Sequence, residues 1–130
     1  MGGILISHCE QDRGTAERLR SSLAHLAVPQ IADFVSLTSA VSEKPLRAEM
    51  STARALIVLL SAGARQDPKL MAEAGVAVAL ARPVIAALLE ETRQQDLDYI
   101  EATRWIRAGG SGDADHLARE IHSALVDLLE

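Results

Sequence analysis

Aromatic side chains are almost missing from this chain: Phe34, Tyr99 and Trp105 make up 2% of its 130 residues. That leaves no platform on which nucleic-acid bases could stack and no aromatic cage. Cysteine is scarcer still. Cys9 stands alone, which excludes a disulfide framework and is too few for a cysteine-based zinc site. Positive charge is in deficit, with 13 Lys and Arg against 18 Asp and Glu for a net charge of −5. That is the wrong sign for attracting phosphates, so nucleic acid is not an expected partner. No apolar run approaches the ~18–20 residues needed to span a bilayer. The opening Met1–Ser7 has neither a basic n-region nor a signal-length apolar core, so no membrane contact is expected and a cytoplasmic location is. The run from Ser7 to Gly14, SHCEQDRG, contains neither a G-x-G-x-x-G nor a Walker A pattern, which removes the ordinary dinucleotide and P-loop readings.

What is present is aliphatic and strongly patterned. Hydrophobic residues reach 48% and charged residues 24%, the balance of one globular domain spanning 1–130. Gly3–Ser7 (GILIS) reads as a buried strand. Asp12 offers an N-cap to a helix in which Ala16, Leu19, Leu23 and Leu26 share one face and which Pro29 ends. Gln30–Val35 alternates like a half-exposed strand, and Ser36–Pro45 is a Ser/Thr-rich loop suited to movement. Leu46–Ala53 suits a short helix. Ala55–Ser61 (ALIVLLS) is the strongest strand signal, continuous enough for a central strand covered on both faces. Asp67-Pro68 starts a helix that runs to about Ala81, and Pro83 opens the strand Val84–Leu88. A helix over Arg93–Ala102, a short strand over Thr103–Arg107, a turn at Gly109–Gly112 and a final helix striped by Leu117, Ile121, Ala124, Leu125 and Leu128 complete the chain. Strands alternating with helices predict an α/β domain: a single doubly wound, flavodoxin-like, five-stranded parallel sheet with helices on both faces.

Ligands in such a fold bind beyond the carboxyl ends of the strands. The candidates there are Ser7, His8, Cys9 and Glu10 after the first strand, Ser36 to Pro45 after the second, Ser61 to Gln66 at the end of the third and Leu89 to Glu91 after the fourth. Arg47, beside the Ser/Thr-rich loop, is the arginine best placed near a ligand. Glu73 stands out most. It shares a helical face with Val76, Ala77 and Leu80, and a carboxylate on an apolar face is costly unless it is paired or lies at a cleft. The competing reading is a rim carboxylate favoured by the helix dipole. Gly75 inside the same helix costs about 1 kcal/mol against Ala, which suggests a close neighbour. Cys9 reads as a buried thiol and His8 as a site-lining or solvent-facing imidazole, since adjacent residues at a strand end point apart and make a poor nucleophile–base pair. His25, His116 and His122 lack ligand spacing, so no metal site is indicated.

These residues also resemble a family. ILISHCEQDRGTAERLRSSL is similar to the opening of bacterial Toll/interleukin receptor (TIR) domains, where a strand ends in Ser plus His or Tyr before an acidic-polar turn and a helix. ARALIVLLSAGARQDPKLMAEAGVAVALARPVIAALL resembles the TIR third strand with its "LS" ending, the next helix with its glutamate, and a fourth strand ending in "PVI". The resemblance covers about Ile4 to Leu89. It implies a TIR-type NAD⁺ glycohydrolase or cyclase in which Glu73 supports the oxocarbenium-like transition state, with NAD⁺ as substrate rather than cofactor. It also implies that Ser7, His8 and Cys9 face the substrate, and that Ser36–Leu46, with Leu46 at its end, closes over the site and mediates assembly. Homo-oligomers and other TIR-containing or sensor proteins are the implied partners. The chain departs from the family in having Lys69-Leu70-Met71 where Trp-Cys is common, Pro45-Leu46 where the loop usually carries glycine and an aromatic, and no arginine just beyond Ser7.

Two other functions stay open at this point. The missing aromatics and the plain loop fit a non-catalytic TIR-like interaction module. Glu73-Ala74-Gly75-Val76-Ala77 followed by Pro83-Val84-Ile85 also resembles nucleoside 2-deoxyribosyltransferases, in which the glutamate attacks deoxyribose. Both enzyme readings place N-glycosidic chemistry at Glu73.

Overall fold

A computed structural model describes residues 4–9, 12–26, 51, 53–61, 68–89, 102–107 and 114–129. In chain order the elements are β1 (Ile4–Ser7), α1 (Arg13–His25), β2 (Ala55–Leu60), α2 (Pro68–Ala79), β3 (Val84–Leu88), β4 (Arg104–Arg107) and α3 (Ala114–Leu129). The four described strands form one parallel sheet in the order β1-β2-β3-β4. The expected strand at Gln30–Val35, the loop at Ser36–Pro45 and most of the helix at Arg93–Ala102 lie outside the described residues, so four strands stand where the sequence predicts five.

β2 is interior, as its uninterrupted apolar run requires, and all six of its residues are fully buried. Its register is set by one-to-one pairing, Ile4 with Ala55 through Ser7 with Val58 on one side and Leu56 with Val84 through Leu60 with Leu88 on the other. Successive side chains of a strand point to opposite faces, and the core divides accordingly. Ile4, Ile6, Ala55, Ile57, Leu59, Ile85, Ala87 and Ile106 pack with Ala16, Leu19 and Leu23 of α1 and Leu117, Ile121 and Leu125 of α3. Leu5, Cys9, Leu56, Val58, Leu60, Val84, Ala86 and Leu88 pack with Leu70, Ala74, Val76 and Ala77 of α2. The stripes expected on α1 and α3 are therefore the buried ones, with Leu26 and Leu128 packed at their margins.

α2 begins at Pro68, the position where a missing N–H is harmless. It ends two residues earlier than expected. Ala81 takes φ 57°, and the Arg82 N–H reaches back to the Ala77 carbonyl at 2.8 Å, a left-handed helix stop that normally employs glycine. Gly75 corrects the sequence reading in the opposite sense. It is exposed, and a methyl group built there meets nothing within 4 Å, so no close neighbour among the described residues accounts for it. Both positions thus hold the less favourable residue. Gly75→Ala and Ala81→Gly are each expected to stabilise the domain by about 1 kcal/mol, read as rises in the guanidinium midpoint. A loss of stability on Gly75→Ala would mean that its face is covered.

Candidate functional site

The site forms where β1 and β2 end. Leu5 of β1 and Cys9, two residues beyond its end, pack against α2, and Ser7 between them faces α2 as well. Buried at 0% exposure, its hydroxyl needs a partner, and on the facing helix Glu73 is buried at 1%. Ser7 Oγ donates to Glu73 Oε1 at 2.7 Å. The bond offsets part of the cost of burying this carboxylate under α2. The helix packs onto the sheet through Leu70, Ala74, Val76 and Ala77, and Ser7 supplies one donor to the carboxylate buried with them. Glu73 is therefore not a rim carboxylate, and the reading that left it to the helix dipole is corrected by its burial.

A second polar knot lies next to the first. Beyond Ser7 the chain leaves the ladder, and the Asp12 N–H returns to the Cys9 carbonyl at 3.0 Å to close a turn. His8, 4% exposed, is turned inward and not to solvent. Its Nδ1 lies 2.9 Å from the same carbonyl, and because a carbonyl only accepts, Nδ1 carries the proton. The Cys9 thiol donates to Asp12 Oδ2 at 3.0 Å, and the Ser61 hydroxyl donates to the same oxygen at 2.6 Å. Cys9 Sγ and Ser61 Oγ are 3.8 Å apart.

Asp12 corrects the sequence reading. It occupies the N-cap position of α1, with φ −99° and ψ 10°, but its side chain makes no capping bond. A capping carboxylate contributes about 1 kcal/mol, and α1 forgoes it because that carboxylate is committed to Cys9 and Ser61. Nothing in the local pattern signals this, since Asp12 resembles any other N-cap until Ser61 is brought beside it.

Cys9 is buried as expected. Burial pushes its thiol above the ordinary range, and the hydrogen bond to the Asp12 carboxylate adds to the shift. With its proton held by Asp12 and His8 engaged at the backbone, the pair does not make a thiolate–imidazole nucleophile. A thiol with a raised folded-state pKa adds stability below the unfolded-state value of about 8.5, and that stability is lost as pH rises through the folded value. Alkylation of Cys9 by iodoacetamide at pH 8 is accordingly expected to run at least about tenfold slower than that of an unstructured cysteine peptide. An equal rate would show that the thiol is neither buried nor held.

Of the residues singled out in the sequence, the structure brings together Ser7, His8, Cys9, Ser61 and Glu73 at the carboxyl ends of β1 and β2 and on the facing turn of α2. Ser36, Leu46 and Arg47 lie outside the described residues. Among the described residues no cluster of three or more His, Cys, Asp or Glu could hold a metal ion, and no helix is long and apolar enough to cross a membrane.

No protein-family model matches the chain, and no curated protein matches it either. Solved structures do. One is a CheY-like response regulator protein from Mesorhizobium loti, at a TM-score of 0.54 and 16% identity, covering 93% of this chain and 98% of that one. Another is the metal-soaked Flv1 flavodiiron core from Synechocystis sp. PCC6803, at a TM-score of 0.54 and 9% identity, covering 95% of this chain and 36% of that one. The fold is flavodoxin-like. At these identities the likeness extends to the parallel α/β architecture alone, and in a flavodoxin-like sheet the carboxyl ends of the strands are where ligands bind. Ser7, Ser61 and Glu73 stand at that edge.

Proposed function

We propose that this domain is a TIR-type NAD⁺ glycohydrolase or cyclase that breaks the bond between nicotinamide and ribose, with Glu73 as its catalytic residue. In this reading the full domain is a five-stranded doubly wound sheet with helices on both faces, cytoplasmic, and active in signalling or defence after self-assembly or recruitment by a sensor. One observation carries the proposal: a carboxylate held by a serine hydroxyl on an otherwise apolar helix face, at the edge of the sheet where ligands bind. Cleaving the glycosidic bond builds positive charge on the ribose. A carboxylate fixed in a water-poor setting stabilises that charge without having to reorganise. Nicotinamide leaves as a neutral molecule from a cationic pyridinium, so no general acid is required. At 1% exposure Glu73 must be uncovered before it can touch a ribose. A neighbouring copy that opens this edge on assembly would make turnover depend on protein concentration.

The test is nicotinamide release from NAD⁺, followed by chromatography over a hundredfold range of protein concentration. Release that rises more steeply than linearly with protein supports the reading. Base exchange between deoxynucleosides without NAD⁺ loss would replace it with the deoxyribosyltransferase. Concentration-dependent oligomers without turnover would replace it with the interaction module.

A further inference from the structure

We infer that Asp12 is the positioning residue of this site, a clamp that sets where Ser7 holds Glu73. The inference rests on the reading of Glu73 as catalytic and names the group that aligns it.

The argument begins with where main-chain pairing stops. Ser7 is the last residue of β1 in register, opposite Val58, while β2 continues through Leu60. Beyond Ser7 the described ladder no longer ties the first strand end to its neighbour. Asp12 replaces it in two ways: its N–H closes the turn onto the Cys9 carbonyl, and its Oδ2 takes hydrogen bonds from Cys9 and from Ser61, the residue directly after β2. The end of β1 is thus fastened to the end of β2 through one carboxylate oxygen, beside the direct Cys9 Sγ–Ser61 Oγ contact of 3.8 Å. Ser7 lies two residues before Cys9 on the same strand end. A strand end free to lift would carry its hydroxyl away from Glu73, lengthening a bond that now measures 2.7 Å. Asp12 forgoes its capping bond to α1 to make this tether, and departures from local rules of this kind collect at functional sites.

Two variants test the clamp. Asp12→Ala removes it, and Ser61→Ala releases its far end while leaving the turn and the start of α1 intact. Both are expected to lower kcat for nicotinamide release at least tenfold while KM changes less than threefold, because the aligned carboxylate acts in the transition state. Turnover equal to wild type in either folded variant overturns the inference, even where the thermal midpoint falls, since that is all a structural role would produce. A second readout needs no activity. The fall in thermal midpoint on Ser7→Ala is measured in the wild-type and Ser61→Ala backgrounds. If the clamp aligns Ser7, the fall should shrink by at least half once Ser61 is gone, and an unchanged fall overturns the inference. Should the wild type release no nicotinamide, the proposed reaction fails by itself and this cycle still decides the clamp.

Discussion

Glu73→Gln should reduce nicotinamide release about 10³-fold, with KM near its wild-type value and the fold intact. The substitution keeps the length and volume of the side chain, and its amide oxygen can still accept the hydrogen bond that Ser7 donates to Oε1. What disappears is the negative charge. A neutral amide cannot balance the positive charge that develops on ribose as nicotinamide departs. Losses on removing one preorganised electrostatic partner run to about 10²–10³ in kcat. The upper end applies here because Glu73 is buried and the lost interaction is with a full charge. About 10³-fold corresponds to roughly 4 kcal/mol of transition-state stabilisation. Because that stabilisation is absent from the ground state, kcat and kcat/KM should fall together. Turnover within tenfold of wild type would remove Glu73 from the chemistry.

Ser7→Ala should destabilise the domain by about 2 kcal/mol, far more than the loss of one hydroxyl from a surface. The variant strips a donor from a carboxylate that is 1% exposed, so the penalty is that of a buried charged acceptor losing a partner. The informative companion is Ser7→Ala/Glu73→Met. Methionine nearly matches glutamate in volume, so the double variant replaces a polar pair by an apolar one in a cluster already formed by Leu5, Leu70, Ala74 and Val76. Pairs removed in this way are often neutral or stabilising. The double variant should therefore recover to within about 1 kcal/mol of wild type, as read from guanidinium midpoints. Recovery would show that the pair is not kept for stability, which leaves function as the reason for it. If the double variant is as unstable as Ser7→Ala, the pair belongs to the fold, and the case for Glu73 as a catalytic group weakens with it.

Much of this architecture was legible in the chain because it depends on spacing. An uninterrupted apolar run at Ala55–Leu60 identified an interior strand, and the structure buries every residue of it. The stripe of Leu117, Ile121, Ala124 and Leu125 marked the buried face of the last helix for the same kind of reason. Glu73 attracted notice as the one carboxylate among apolar neighbours on its face. The misreadings share a cause. Sequence predicts a neighbour against Gly75, which is exposed, and a cap for α1 from Asp12, which reaches across to Ser61 instead. Helical position and residue type decided both expectations, and neither conveys what lies on the other side of a side chain.

Sequence alone therefore determined the elements that the structure describes, their buried faces and the residue most worth testing, because hydrophobic periods of two and of about 3.6 residues are local properties of a chain. Tertiary structure decided which polar groups meet. Ser7 finds Glu73 across 66 positions, and Asp12 finds Ser61 across 49. Those partnerships follow from the parallel register of β1 on β2 and from the docking of α2 over the sheet, which place residues distant in sequence within hydrogen-bond reach. A buried donor or acceptor must be satisfied by whatever the fold brings next to it, and that requirement is met in space and leaves no mark on local sequence.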